Sequence, residues 1–362
     1  MVSSTDIATE ASHDVGISIE FRNVSFAYPD LRNEWEIRRA KQAKLEKKLT
    51  KKKDKAAAAA ADSDDESDSD EEKVKWILKD VSFFVPAGQT VSIVGRNGCG
   101  KSTLIKLLTR IFDPAEGQIL FNGIDIRKLK VEDLRSIVSV LEQSCKVMPG
   151  TIGHGISAGR IDSYAKMSRE QRLSTVKHVA ERCGFAKVLN DKSDHRGFDS
   201  FQGPYDYYNG GHIHFSGGEK QKLAIAKAIF RAGPDFITDN DETGEIGSDE
   251  DPLAGMKSAR VIVFDEPAAA LDAIADNEVQ QELQRMVKTS DAVRAKAGMP
   301  VKRTALFISH RMSSSRTADR IIVLGDKGSV VEDGNHAELM KIPLEDSVYR
   351  KLFETQANSY TD

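Results

Sequence analysis

Gly95-Arg96-Asn97-Gly98-Cys99-Gly100-Lys101-Ser102 has the spacing G-x-x-x-x-G-K-[ST]. Upstream, Gln89 to Val94 reads as a short buried strand, and downstream, Lys101 to Thr109 reads as a helix. Strand, glycine loop and helix in that order make an anion cradle. The glycines let successive backbone N–H groups turn inward around phosphate oxygens. The helix N-terminus adds the positive end of its dipole. Lys101 is expected to bridge the β- and γ-phosphates of a nucleoside triphosphate, and the Ser102 hydroxyl to ligate Mg²⁺. The candidate binding stretch is therefore Gly95, Arg96, Asn97, Gly98, Cys99, Gly100, Lys101, Ser102 and Thr103.

The pattern around the loop is that of an α/β protein. Ile17 to Phe26 and Trp76 to Val85 alternate apolar and polar residues as strands do. Beyond the loop, Ile119–Phe121 and Ile137–Leu141 read as strands, and Arg169–Cys183 and Glu219–Phe230 as helices. Val261–Phe264 and Ala305–Ile308 are continuous apolar runs, as in a parallel sheet covered on both faces. Asp265 and Glu266 follow the first of these runs directly. A carboxylate at the C-terminal tip of a core strand stands where open α/β sheets bind ligands. Asp265 is expected to hold Mg²⁺ through water, and Glu266 to orient or deprotonate a water attacking the γ-phosphate.

Two stretches break the pattern. Residues 31–75 hold a basic helix-forming run (Glu34–Lys55), an alanine run (Ala56–Ala61) and an acidic Ser/Asp/Glu tract (Asp62–Glu72). Charge blocks of this kind bury too little apolar surface to pack. A second insertion, 235–257, is acidic. The expected organisation is a flexible tail over 1–16, one domain over 17–358 interrupted by 31–75 and 235–257, and a short tail over 359–362.

Composition limits the rest. The chain has 362 residues, 40% hydrophobic and 30% charged, with a net charge of −4. That balance argues against a general polyanion binder, and no nucleic-acid partner is expected. No apolar run approaches the ~18 residues of a membrane span, and the first residues are not a secretory signal. Three cysteines cannot form a disulfide framework, which favours a reducing, cytosolic compartment.

Phe215-Ser216-Gly217-Gly218-Glu219-Lys220-Gln221 lies between the phosphate loop and Asp265. It resembles the signature LSGGQ-x-Q of the nucleotide-binding domain of ATP-binding cassette (ABC) transporters. The resemblance covers Ile17–Asp30 and Trp76 to about Asn358, and its C-terminal part, including Asp319–Leu324 and Gly328–Leu339, is similar to exporter-type cassettes. It implies a P-loop NTPase core with a parallel sheet, an antiparallel β subdomain and a helical signature subdomain. It also assigns residues. Tyr28 would stack on adenine, although a Tyr at a strand end is also an ordinary packing residue. Gln143 would touch the Mg²⁺ site and report on nucleotide. Asp272, in Ala269-Ala270-Leu271-Asp272, would line the subunit contact, and His310 would meet the γ-phosphate. Ser216, Gly217, Gly218 and Glu219 would close the ATP site of a second cassette, Ser216-x-x-Glu219 forming a capping box at a helix start. Function would then require a homo- or heterodimer and a membrane-spanning partner, on another chain or outside this fragment, with the cassette on the cytosolic face.

The sequence departs from the family pattern in places. Glu219 replaces the usual Gln, Phe215 the usual Leu, Ala269 the usual D-loop Ser, and Pro267 the Ala usual in exporters. Gly203–His214 lacks the Glu that exporters carry there. The expected function is an ATP-hydrolysing cassette powering export. The alternatives are a non-transport soluble ABC ATPase and a nucleotide- or calcium-sensing module. Asp239 to Glu250 partly follows an EF-hand spacing and could hold Ca²⁺, against the simpler reading of an acidic loop. Ser63, Ser67 and Ser69 carry acidic residues three positions on and could be phosphorylated, against a solubilising role. Cys99, at a helix N-terminus, reads as an oxidation switch or as a small filler.

Overall fold

The structure is a computed structural model, and it describes residues 16–29, 75–142, 150–157, 167–192, 201–202, 215–232, 259–265, 287, 303–308 and 315–358. Insertion 235–257, and insertion 31–75 apart from Lys75, lie outside these residues.

In chain order the first elements are β1 (Ile19–Phe26), β2 (Leu78–Val85), β3 (Thr90–Gly95), α1 (Lys101–Leu108), β4 (Glu116–Phe121) and β5 (Ile124–Asp125). Next come α2 (Val131–Ile137), β6 (Val138–Leu141), β7 (Gly150–Thr151), α3 (Ile152–Ser157), α4 (Arg169–Arg182), α5 (Phe185–Lys192), β8 (Phe201–Gln202) and α6 (Gly217–Ala232). The chain closes with β9 (Val261–Asp265), β10 (Thr304–Ile308), β11 (Arg320–Leu324), β12 (Val330–Gly334), α7 (His336–Leu339) and α8 (Val348–Asn358).

Two sheets carry the fold. The larger has the order β12-β11-β3-β10-β9-β6, parallel throughout except for the edge strand β12. The smaller, β2-β1-β4-β5, is antiparallel. β7 and β8 make a separate two-residue ladder. This is the expected α/β architecture: a parallel core, an antiparallel β layer and a group of helices that ends in α6.

The apolar runs read as buried strands are buried on both faces. Along β9, Val261 and Val263 face the core shared with the antiparallel sheet and α1, while Ile262 and Phe264 face the helices. Along β10, Leu306 and Ile308 take the first side, and Ala305 and Phe307 the second. With a side-chain period of two, such a strand must be apolar at every position. On the helical side Phe264 and Phe307, paired in register, stack with ring centroids 4.4 Å apart. α6 packs there through Leu223, Ile225, Ile229 and Phe230.

At the far side of β3, Val94, Ile321 and Val323 bury the wholly enclosed Tyr349 of α8. The Glu332 carboxylate holds the start of α8, accepting from the Tyr349 N–H at 3.1 Å, the Ser347 hydroxyl at 3.1 Å and the Val348 N–H.

Element ends differ from expectation by a residue or two. α6 begins at Gly217, not Glu219, because Ser216 caps it and draws both glycines into the first turn. Among the described residues no helix is long and apolar enough to cross a membrane.

Candidate functional site

β3 delivers the chain into the glycine loop, and α1 leaves it. Gly98 and Gly100 have φ of +84° and +104°, a region that a side-chain-bearing residue enters only under strain. At Gly100 a Cβ would also come within 2.5 Å of Leu78 Cδ2. Gly100 is the N-cap of α1, so no side chain caps this helix, and its first turn holds no acidic residue. The positive end of the helix is therefore left to an outside anion.

Lys101 is buried, with 7% of its surface exposed. Its ammonium donates to Gly95 O at 2.7 Å and Arg96 O at 3.1 Å, and Cys99 Sγ lies 4.0 Å away. Among the described residues no carboxylate pairs with it. A buried cation that rests on carbonyls without a counter-charge is a site for an anion. Cys99 is 6% exposed and packs in the core beneath the loop. Arg96, Asn97 and Ser102 are exposed, whereas Thr103 is buried.

Sheet register brings the other candidates to the same edge. Ile93 pairs with Ile308, and Ile308 pairs with Asp265. Asp265, the half-buried last residue of β9, therefore stands level with Ile93, two residues before the end of β3, across one intervening strand and roughly 10 Å away at ordinary strand spacing. Leu141, at the end of β6, pairs with Phe264. The parallel strands β3, β10, β9 and β6 thus end on one side, and in sequence Lys101, His310, Glu266 and Gln143 follow their ends within a few residues. Gln143, Glu266, Asp272 and His310 themselves lie outside the described residues, as do Asp239–Glu250 and the serines 63, 67 and 69.

Ser102 and Asp265 supply two oxygen donors suited to Mg²⁺, which takes most of its shell from water and substrate phosphate. No cluster of three or more metal-binding side chains occurs among the described residues. The fit is to a metal that arrives with a phosphate, not to a closed protein cage.

Tyr28 follows β1 and is 38% exposed. Its ring meets Phe26 and Phe112 edge to face, at 5.0 and 5.5 Å. Its hydroxyl lies 3.1 Å from Thr103 Oγ1 and accepts from Lys106 Nζ at 3.1 Å. Both alternatives for Tyr28 thus have a footing: part of the ring is packed, part is open, and the whole abuts the phosphate helix. Lys106 was not legible as a site residue, since only the docking of β1 against α1 reveals its neighbour. The available signal was a cation one helical turn beyond Thr103.

At α6, Ser216 N–H donates to Glu219 Oε2 at 2.6 Å, and Glu219 N–H donates to Ser216 Oγ at 3.4 Å. The capping box expected from the sequence is present. Ser216–Glu219 belongs to a helix separate from the phosphate loop.

Residues 78–241 match the sequence profile of the family described as ABC transporter. The yeast mitochondrial iron-sulfur clusters transporter ATM1 (Saccharomyces cerevisiae) is 34% identical over 280 residues, 77% of this chain and 32% of that protein. The chain contains an ABC nucleotide-binding domain of the exporter type. This ABC domain is an ATPase domain and binds ATP. The ATP-dependent lipid A-core flippase of Sodalis glossinidius is 32% identical over 279 residues, 77% of this chain and 38% of that protein. A bacterial Atm1-family ABC exporter, solved with ATP bound, superposes on the ABC domain with a TM-score of 0.60 at 26% identity. It covers 94% of this chain and 42% of its own. The chain spans about a third of the length of the curated relatives it matches.

Proposed function

We propose that this ABC domain hydrolyses Mg²⁺–ATP within an ATP-closed pair of cassettes and powers transport through a membrane-spanning partner, on another chain or elsewhere in a longer protein. One observation carries the reading: a buried ammonium with no carboxylate partner among the described residues stands at an uncapped helix N-terminus, and Asp265 ends a strand of the same parallel sheet on that side.

In this reading Lys101 grips the β- and γ-phosphates, the loop amides and Thr103 hold the remaining phosphate oxygens, and Tyr28 takes the adenine. Ser102, Asp265 and Gln143 hold Mg²⁺. Bound there, Mg²⁺ would supply positive charge to the phosphate oxygens. Glu266 accepts a proton from water as its oxygen bonds to the γ-phosphorus, and the bond to the ADP oxygen breaks. His310 steadies the departing phosphate. Ser216, Gly217, Gly218 and Glu219 close the site of a second cassette, and Asp272 lines that contact. Support for the pairing and for the membrane partner comes from the exporters to which the chain is similar.

The test is ATP turnover by the full chain. Glu266→Gln is expected to lower it by about two orders of magnitude or more, the scale of a general base, while ATP still binds. Undiminished turnover in this variant would overturn the hydrolytic assignment. Recovery of a multi-span membrane protein with the chain supports transport, and a wholly soluble complex contradicts it.

A further inference from the structure

Tyr28 lies 75 residues before Thr103 and 78 before Lys106, yet its hydroxyl touches both. Lys106 Nζ donates to the phenolic oxygen, and the phenol and the Thr103 hydroxyl share a second hydrogen bond in which either can donate. The same ammonium stands 5.0 Å from the ring centroid, within cation–π range. Among the described residues no carboxylate pairs with Lys106, so its charge is directed at the tyrosine. Phe26 and Phe112 fix the ring at other points through near-perpendicular contacts.

Ser102, Thr103 and Lys106 all sit on α1. A ring latched to α1 through its hydroxyl cannot swing independently of the phosphate loop. One rigid helix would then set the distance between a stacked base and the bound phosphates. Pre-arranging the platform saves the ordering cost that a mobile tyrosine would bring to binding.

We infer that Lys106 is a positioning residue that, with Thr103, clamps the Tyr28 ring as the nucleobase platform and so favours a base-bearing triphosphate over a bare one. This rests on the reading above that Tyr28 takes the base.

Binding of ATP and of inorganic tripolyphosphate, each with Mg²⁺, to the full chain tests it. Lys106→Met and Tyr28→Phe are each expected to weaken ATP roughly three- to tenfold, the scale of one such contact. Tripolyphosphate should be held as before. The double variant should be little weaker than either single one, because both remove the same link. Lys106→Arg, which keeps a cation and donors, should recover most of the loss. Two results would overturn the inference alone: Lys106→Met binding ATP as the parent does, or losing tripolyphosphate by the same factor as ATP. Tyr28→Ala tells the two readings apart. If it leaves the preference for ATP over tripolyphosphate intact, the base-platform role of Tyr28 falls, and the clamp with it.

Discussion

At Lys101 a single side chain joins sequence to chemistry. Its position five residues after Arg96 lets the ammonium fold back onto the carbonyls of Gly95 and Arg96. This geometry is built from one short covalent segment, so the motif alone discloses it. Gly100 shows the same locality: its left-handed backbone and the approach of Leu78 both require a residue without a side chain. Gly100→Ala is expected to destabilise the chain by about 1–3 kcal/mol and to weaken ATP binding. Thermal unfolding and titration with ATP check the two effects, and an unchanged melting temperature would contradict the first. Lys106 is the opposite case. Its partner Tyr28 is distant in sequence, and a lysine in the body of a helix carries no local mark of function.

Among the elements, β9 and β10 were legible because burial on both faces demands unbroken apolar runs. The start of α6 was legible in kind but not in place. The Ser216–Glu219 box was expected, yet the helix takes in Gly217 and Gly218, since capping outweighs the low helix propensity of glycine. α4 of the same chain offers a natural comparison. Its box is closed by a neutral amide, Ser168 N–H donating to Gln171 Oε1 at 2.9 Å and Gln171 N–H to Ser168 Oγ at 3.2 Å. A Gln at N3 therefore sustains the same geometry, and Glu219→Gln removes charge with the cap intact. In the proposed pairing the carboxylate would oppose a phosphate brought to the α6 N-terminus. The substitution is accordingly expected to lower the ATP concentration at which the chain pairs, by severalfold. Sedimentation against ATP concentration, in a Glu266→Gln background, measures this. A midpoint that stays or rises would contradict the assigned effect of the charge.

For the molecule as a whole, strand order was not readable from one sequence. Strand order depends on which apolar faces meet across long separations, and local patterning leaves that open. The order β11-β3-β10-β9-β6 has the largest functional consequence, because it gathers five parallel strand ends on one side and sets Asp265 level with Ile93 near the end of β3. The antiparallel sheet then brings Tyr28 from β1 to the same helix that begins at Lys101. Buried cation, uncapped helix and strand-end carboxylate thus lie at the same end of one parallel sheet. Calorimetric titration of the full chain with Mg²⁺–ATP, compared with Lys101→Ala, tests this arrangement most directly. The account predicts saturable binding by the parent and a loss of about a hundredfold or more in the variant, with the fold retained by circular dichroism. Equal affinity in the two proteins would contradict it.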